Sequence, residues 1–297
     1  MKSETRRLKS PIVDLSAIKE IADGVWVIPD SDYTPMVPNI GIIVGTRATL
    51  VIDTGFGSHN ARAVLNEARR LSGPRSIFLT HTHCHPEHGF GANVIAGEVV
   101  VVYNEAQWRE LQEKGPAILQ MFRHQMPALA HMLEEVEFVC PDLFYTGSLT
   151  LDLGGTVVEL GEFGGAHSRG DQVILVHSSS AVLFVGDLIE ERHFGLIADN
   201  ESHVGPWIER LRAFEQSGAE VVVPGHGHIC GSELITDYRG HFELARYRVE
   251  ELRAAGELSE ADIVERVSAE LVDRYPDWGG RNWVPKIVAD LTWPSRA

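Results

Sequence analysis

Four strand-sized apolar runs in this 297-residue chain end in a histidine or an aspartate, and no other feature constrains the fold as strongly. They are "ATLVIDTG" (48–55), "RSIFLTH" (75–81), "AVLFVGD" (181–187) and "AEVVVPGHGH" (219–228). Short runs rich in β-branched residues and bounded by turn residues read as strands. The first two enclose a helical pattern over 60–71, where Ala61, Val64, Leu65 and Ala68 recur at helical spacing; the last two enclose another over 204–217. Each half therefore reads strand, helix, strand, with polar residues delivered at strand ends. A sheet must bury its apolar face against another layer, so two such halves predict two sheets packed face to face with helices outside.

The remaining segments fit around that frame. "GVWVIPD" (24–30) and "NIGIIVG" (39–45) read as further strands before the first aspartate, and "SLTLDLGGTVVELGEF" (148–163) and "QVILVHSSSAVLFVGD" (172–187) as hairpins. Residues 104–135 read as helical and partly amphipathic. Beyond residue 232 the pattern becomes helical, over 233–255 and 258–275, the second opened by a Ser259/Asp262 capping box. Trp278, Trp283 and Trp293 follow, either in a helical cap packed on the core or in a lid over a substrate cleft.

Composition excludes several classes. A net charge of −16 argues against a general binder of phosphate backbones, which needs a basic stripe. Three widely spaced cysteines, Cys84, Cys140 and Cys230, imply no disulfide framework. "MKSETRRLKSP" lacks the apolar stretch of a secretory signal, and runs such as "EVVVVYN" are too short to span a bilayer. A cytoplasmic protein with no membrane or nucleic-acid partner is the expectation, with a homo-oligomer left open.

The chemistry concentrates in "HTHCHPEHGFG" (81–91), with four histidines and a glutamate inside eight residues. Histidine nitrogens and carboxylate oxygens are ordinary zinc ligands. Extended backbone would place His81, His83 and His85 on one face and Cys84 on the other. Past Pro86 the chain must turn, which can aim Glu87 and His88 at a second ion. Partners are expected in glycine-rich loops at other strand ends. His167 in "GEFGGAHSRGD", Asp187 after "AVLFVG" and His226 in "VPGHG" satisfy that expectation.

With those residues in view, the sequence resembles the metallo-β-lactamase fold superfamily, whose motif is T-H-x-H-x-D-H followed by glycine. "THCHPEHGFG" (82–91) matches it in the phase starting at His83, with Glu87 in the aspartate slot; the phase starting at His81 would put Pro86 in a histidine slot. "VIDTG", "GGAHSRGD", "LFVGD" and "VPGHG" occur in the family's order, so the resemblance spans roughly residues 22–232. It implies an αββα four-layer sandwich of two mixed β-sheets over 1–232, with 233–297 a helical extension packed on the same domain. It also implies that His83, His85 and His167 hold one metal, that Glu87, His88 and His226 hold a second, and that Asp187 bridges them. Asp53 would sit beneath and orient ligands, or cap a strand turn. His81 becomes a neighbour of the site, and His193 falls where the family places substrate contacts.

Two divalent ions, Zn²⁺ foremost with Fe or Mn as alternatives, would supply hydroxide at neutral pH, with Asp187 and Glu87 in catalytic roles. Glutamate is one methylene longer than aspartate, so the second ion would sit differently, and a mononuclear enzyme is the competing reading. No Gly-X-Ser-X-Gly elbow and no GxGxxG following a strand is present. The expected reaction is hydrolysis of an ester, thioester, lactone or amide-type bond in a small molecule. The looser likeness is to β-lactamase-like small-molecule hydrolases and polyketide thioesterase/cyclases. The alternatives are β-lactamase activity and a non-catalytic, metal-binding regulatory member of the fold.

Overall fold

A computed structural model describes residues 10–30, 33–197 and 200–293. The expectation that the N-terminus is not a secretory signal rests largely on residues 1–9, outside the described residues. The chain begins with β1 (Lys19–Ala22), β2 (Val25–Ile28), β3 (Ile40–Val44) and β4 (Ala48–Ile52), followed by α1 (Gly57–Ser72) and β5 (Ser76–Thr80). A single turn, α2 (Pro86–Gly89), leads to β6 (Val100–Asn104), α3 (Glu105–Gln125) and β7 (Leu143–Tyr145). The order β1-β2-β3-β4-β5-β6-β7 makes one sheet, antiparallel up to β4 and parallel beyond it.

The second half supplies β8 (Ser148–Asp152), β9 (Val157–Glu162), β10 (Gln172–His177), β11 (Ala181–Gly186), α4 (Val204–Glu215), β12 (Val221–Pro224) and β13 (Cys230–Gly231). These strands form a six-stranded sheet in the order β13-β12-β11-β10-β9-β8, with only β11 and β12 parallel. Both sheets are therefore mixed. The chain closes with α5 (Glu233–Ala255), α6 (Glu260–Arg274) and α7 (Val284–Thr292).

Strand periodicity explains the layering. In β4, Leu50 and Ile52 point into a core shared with Val158, Ile174 and Phe184 of the other sheet. Val51 points the opposite way, against Val64 and Leu65 of α1. Because both faces are covered, the run reads as continuously apolar rather than alternating. On the outer face of the second sheet, Leu183 and Val185 share a core with Trp207 of α4, Phe242 of α5, Val267 of α6 and Ile287 of α7. The four layers are thus helices, sheet, sheet, helices.

The expected helix over 104–135 stops at Gln125. Met126 precedes Pro127, and the residue before a proline is driven out of helical backbone; Met126 has φ −124° and ψ 61°. The Ser259/Asp262 capping box is present in both directions. The three tryptophans divide. Trp278 stacks on Tyr238 with ring centroids 6.1 Å apart, Trp283 lines a cleft, and Trp293 is exposed.

Beneath Trp278 lies His241, fully buried among Phe194, Tyr238, Phe242 and Tyr275. Its Nδ1 donates to the Tyr238 carbonyl, and its Nε2 has no partner. Burial pushes its pKa down to about 3. The folded state therefore resists a proton that the unfolded chain accepts near pH 6.5. This contribution to stability is complete above pH 6.5 and is lost as pH falls toward 3, by up to about 1.4 kcal/mol per pH unit. Urea midpoints measured from pH 7 to 4 should fall more steeply for the wild type than for His241→Phe. Parallel slopes would remove His241 as the cause.

Candidate metal centre

The strand ends converge at one edge of the sandwich. Asp53 follows β4, His81 follows β5, Asp187 follows β11 and Gly225 follows β12. After Thr80 the backbone leaves the sheet in a series of bends, so 81–85 is not extended. The expected alternation fails for that reason. His81 lines a small internal cavity together with Cys84, Gln107 and Tyr103, with its Nε2 buried and unpartnered, while His83 and His85 turn toward each other at 4.6 Å. His81 is absent from both of the ligand groups described below. Pro86 then opens α2, which suits the first helical position, and this turn swings Glu87 and His88 round.

The structure brings the seven remaining sequence-predicted residues into two groups. His83, His85, His167 and Asp187 offer ligand atoms all within 4.8 Å of one another, as do Glu87, His88, Asp187 and His226. Asp187 divides its oxygens between the groups. Its Oδ2 lies 3.7 Å from the Nε2 atoms of both His83 and His167. Its Oδ1 lies 3.4 Å from His88 Nε2 and 3.7 Å from His226 Nε2. Glu87 Oε1 stands 4.0 Å from His226 Nε2, so the longer acid does reach the second group.

Supporting contacts orient these side chains. Asp53, buried and at φ +67°, accepts hydrogen bonds from Thr82 N at 2.7 Å and from His88 Nδ1 at 2.8 Å. A carboxylate on Nδ1 leaves Nε2 free for a metal and selects the tautomer. Asp53 thus holds the His88 ring and also caps the turn at Thr82. Asp171 accepts from the backbone N–H groups of His167 and Ser168, both at 2.8 Å, and fixes the loop that presents His167. His226 Nδ1 donates to the Val37 carbonyl at 3.0 Å. Gly225 must be glycine, because a Cβ there would stand 1.9 Å from Asp187 Oδ1. Trp207 Nε1 donates to the Leu188 carbonyl at 2.9 Å and holds the segment following Asp187.

Several of these residues were missed in the sequence. Asp30, after β2, and Asp171, inside the "GGAHSRGD" turn, were both visible in motifs already singled out. Glu190 had no signal beyond standing three residues past Asp187. It is buried, and His193 Nδ1 lies 3.1 Å from its Oε2. Burial and the adjacent Asp187 raise its pKa to about 8.

The donor set fits divalent cations. His83 Nε2, His88 Nε2, Glu87 Oε2 and Asp187 Oδ1 are all buried with no hydrogen-bond partner. Each such atom costs about 1–3 kcal/mol if left unsatisfied, so their convergence calls for a ligand. Burial, with His85 close by, pushes His167 down to about 3. Burial opposes charge on His226 too, but Asp187 and Asp30 outweigh it and raise its pKa to about 9. Imidazole with carboxylate suits zinc, iron or manganese.

Fold and site together define an α/β sandwich with a histidine–carboxylate centre at its strand ends. The metallo-β-lactamase superfamily model matches residues 33–226, and the chain belongs to that superfamily. The chain is 25% identical to the metallo-β-lactamase type 2 of Bacteroides fragilis over 232 residues, 75% of this chain and 84% of the relative. A metallo-β-lactamase from Pontibacter korlensis superposes with a TM-score of 0.59 at 20% identity, covering 75% of this chain and 96% of its own. The stereoselective inverting sec-alkylsulfatase of Pseudomonas sp. reaches a TM-score of 0.71 at 17% identity, covering 94% of this chain and 50% of its own. At these identities the structural likenesses concern the fold alone. Among the described residues, no helix is long and apolar enough to cross a membrane.

Proposed function

We propose that this chain is a dinuclear metallo-hydrolase that cleaves an ester, thioester, lactone or amide-type bond of a small molecule. The observation that carries this reading is the division of Asp187, one oxygen toward each histidine group, at the floor of a cleft also lined by Glu87 and His226. His83, His85 and His167 would hold one ion and Glu87, His88 and His226 the other, with Asp187 between them. Two divalent ions, most simply Zn²⁺, would supply Lewis acidity there and make water a nucleophile at neutral pH. Glu87, with one oxygen unpartnered, stands where it can orient the attacking water and accept its proton. Asp53 keeps His88 in the tautomer that points Nε2 inward. His193, whose Nδ1 donates to the Phe194 carbonyl at 3.0 Å, would face the substrate from the cleft wall.

Metal content and turnover test this together. Protein purified under metal-replete conditions should carry two ions per chain by mass spectrometry. It should hydrolyse at least one of a nitrophenyl ester, a thioester and a lactone, and chelation should lower the rate by about a hundredfold or more, restored by added Zn²⁺. Turnover indifferent to chelator would overturn the mechanism, and a firm stoichiometry of one would overturn its dinuclear form. The Bacteroides fragilis relative favours a second reading, β-lactamase activity, so a chromogenic cephalosporin belongs in the same panel.

A further inference from the structure

The cleft above the candidate metal centre has a volume of about 260 Å³, and five carboxylates line it: Asp30, Glu87, Asp187, Glu190 and Glu191. No lysine or arginine lines it among the described residues. The nearby cations have other partners. Arg192 pairs with Asp277 at 3.3 Å, and Arg281 bonds the Trp278 and Pro276 carbonyls. Lys286 lies over the Trp283 ring at 4.7 Å and reaches the Ile197 carbonyl at 3.4 Å. Glu191, in the same wall, is met by the Tyr33 hydroxyl and by His228, again without arginine or lysine.

The rest of the lining includes apolar surface from Pro35, Met36, Leu196 and Trp283. Trp283 belongs to the C-terminal segment, which is stitched to the loop bearing His193. Gly279 N donates to the Arg192 carbonyl at 3.0 Å, and Phe194 N donates to the Gly279 carbonyl at 3.2 Å. A Cβ on either Gly279 or Gly280 would come within 2.4 Å of the His193 ring. That close approach packs the segment leading to Trp283 against the loop bearing His193.

We propose that the cleft selects substrates without negative charge, carrying an apolar group that packs on Trp283, and rejects carboxylate- or sulfate-bearing compounds. The proposal rests on the hydrolytic reading above and assigns its substrate class. Anionic groups are normally gripped by arginine or lysine in charge-assisted hydrogen bonds. Here a bound anion would be desolvated against a wall that, among the described residues, offers no such partner.

The test uses three nitrophenyl esters of matched acyl length: uncharged butyrate, the carboxylate-ended glutarate monoester and a trimethylammonium-ended analogue. With metal-loaded protein, kcat/KM for the butyrate should exceed that for the glutarate monoester by about tenfold to a hundredfold, a gap that narrows with added salt. The trimethylammonium ester should be turned over at least as well as the glutarate monoester. Trp283→Ala should raise KM for the butyrate severalfold with little change in kcat. Equal or faster turnover of the glutarate monoester overturns the proposal. So does turnover of that ester which disappears in Lys286→Gln, since Lys286 would then be the anion anchor. If no ester is cleaved, the thioester and lactone decide the hydrolytic reading, and calorimetric binding of butyramide against glutaramate to the metal-loaded protein decides the selectivity. Tighter binding of butyramide supports it, and equal or weaker binding overturns it.

Discussion

Asp187→Ala should lower kcat/KM for the best substrate by about a thousandfold or more, equivalent to ~4 kcal/mol of transition-state stabilisation, and should reduce metal content at both sites. The size of the effect follows from the geometry. Asp187 Oδ2 faces His83 and His167, and its Oδ1 faces His88 and His226, so one substitution removes a donor from each group. No other side chain belongs to both groups. Asp187→Asn keeps the shape but replaces one acceptor oxygen with a donor nitrogen, so it should lose one ion more completely than the other. Mass-spectrometric metal content beside steady-state kinetics checks both variants. An alanine variant that kept two ions and turned over within tenfold of wild type would show that Asp187 does not bridge.

The second large effect is expected at Asp53, which need not touch either ion. Its carboxylate satisfies Thr82 N and His88 Nδ1 in a site that excludes water. Asp53→Ala removes the acceptor shared by Thr82 N, Thr82 Oγ1 and His88 Nδ1 and puts alanine at a positive φ, for a loss of about 2–4 kcal/mol of stability. Asp53→Asn is more informative. Asparagine tolerates left-handed backbone and can still accept from Thr82 N. Its amide, turned toward His88, would then make Nδ1 the acceptor and put the proton on Nε2, the atom a metal needs. Asp53→Asn should therefore stay near wild-type stability and lose about 10- to 100-fold in affinity at the second site. Competition against a chromophoric chelator measures the affinity, and urea unfolding measures the stability. Unchanged metal affinity in Asp53→Asn would show that the Asp53–His88 contact does not govern the tautomer.

Much of the fold was legible because the two sheets bury both faces. Runs such as "TLVI" and "LFV" are apolar throughout, and helices α1, α4, α5 and α6 carry clear 3.6-residue periodicity. The strands that escaped notice are short and lie at sheet edges or ends. β1, "KEIA", holds a lysine and a glutamate, and β7 and β13 span three and two residues. Such strands are recognised by their neighbours' hydrogen bonds, which a linear pattern does not carry. The end of α3 was missed for a local reason, the proline after Met126, which was visible but outweighed by the helical composition around it.

At the site, residue type and spacing drew attention to the 81–88 cluster and to His167, Asp187 and His226, because ligand chemistry demands imidazole and carboxylate side chains at strand ends; the set His83, His85, Glu87, His88, His167, Asp187 and His226 followed from the resemblance to the family motif. That motif also distinguished the phase beginning at His83 from that beginning at His81. Only the tertiary structure decided the rest. The bend after Thr80 sends His81 into a cavity with Cys84, although strict alternation would have set them on opposite faces. Packing between distant segments brought Glu190, Asp30 and Asp171 to the ligands and set Trp283, a hundred residues beyond Asp187 in order of magnitude, in the cleft wall. Side-chain chemistry is a property of each residue and survives in one dimension. Which oxygen of Asp187 faces which histidine, and which charges crowd the cleft, depends on contacts across two sheets and a C-terminal helical layer, and those exist only once the chain has folded.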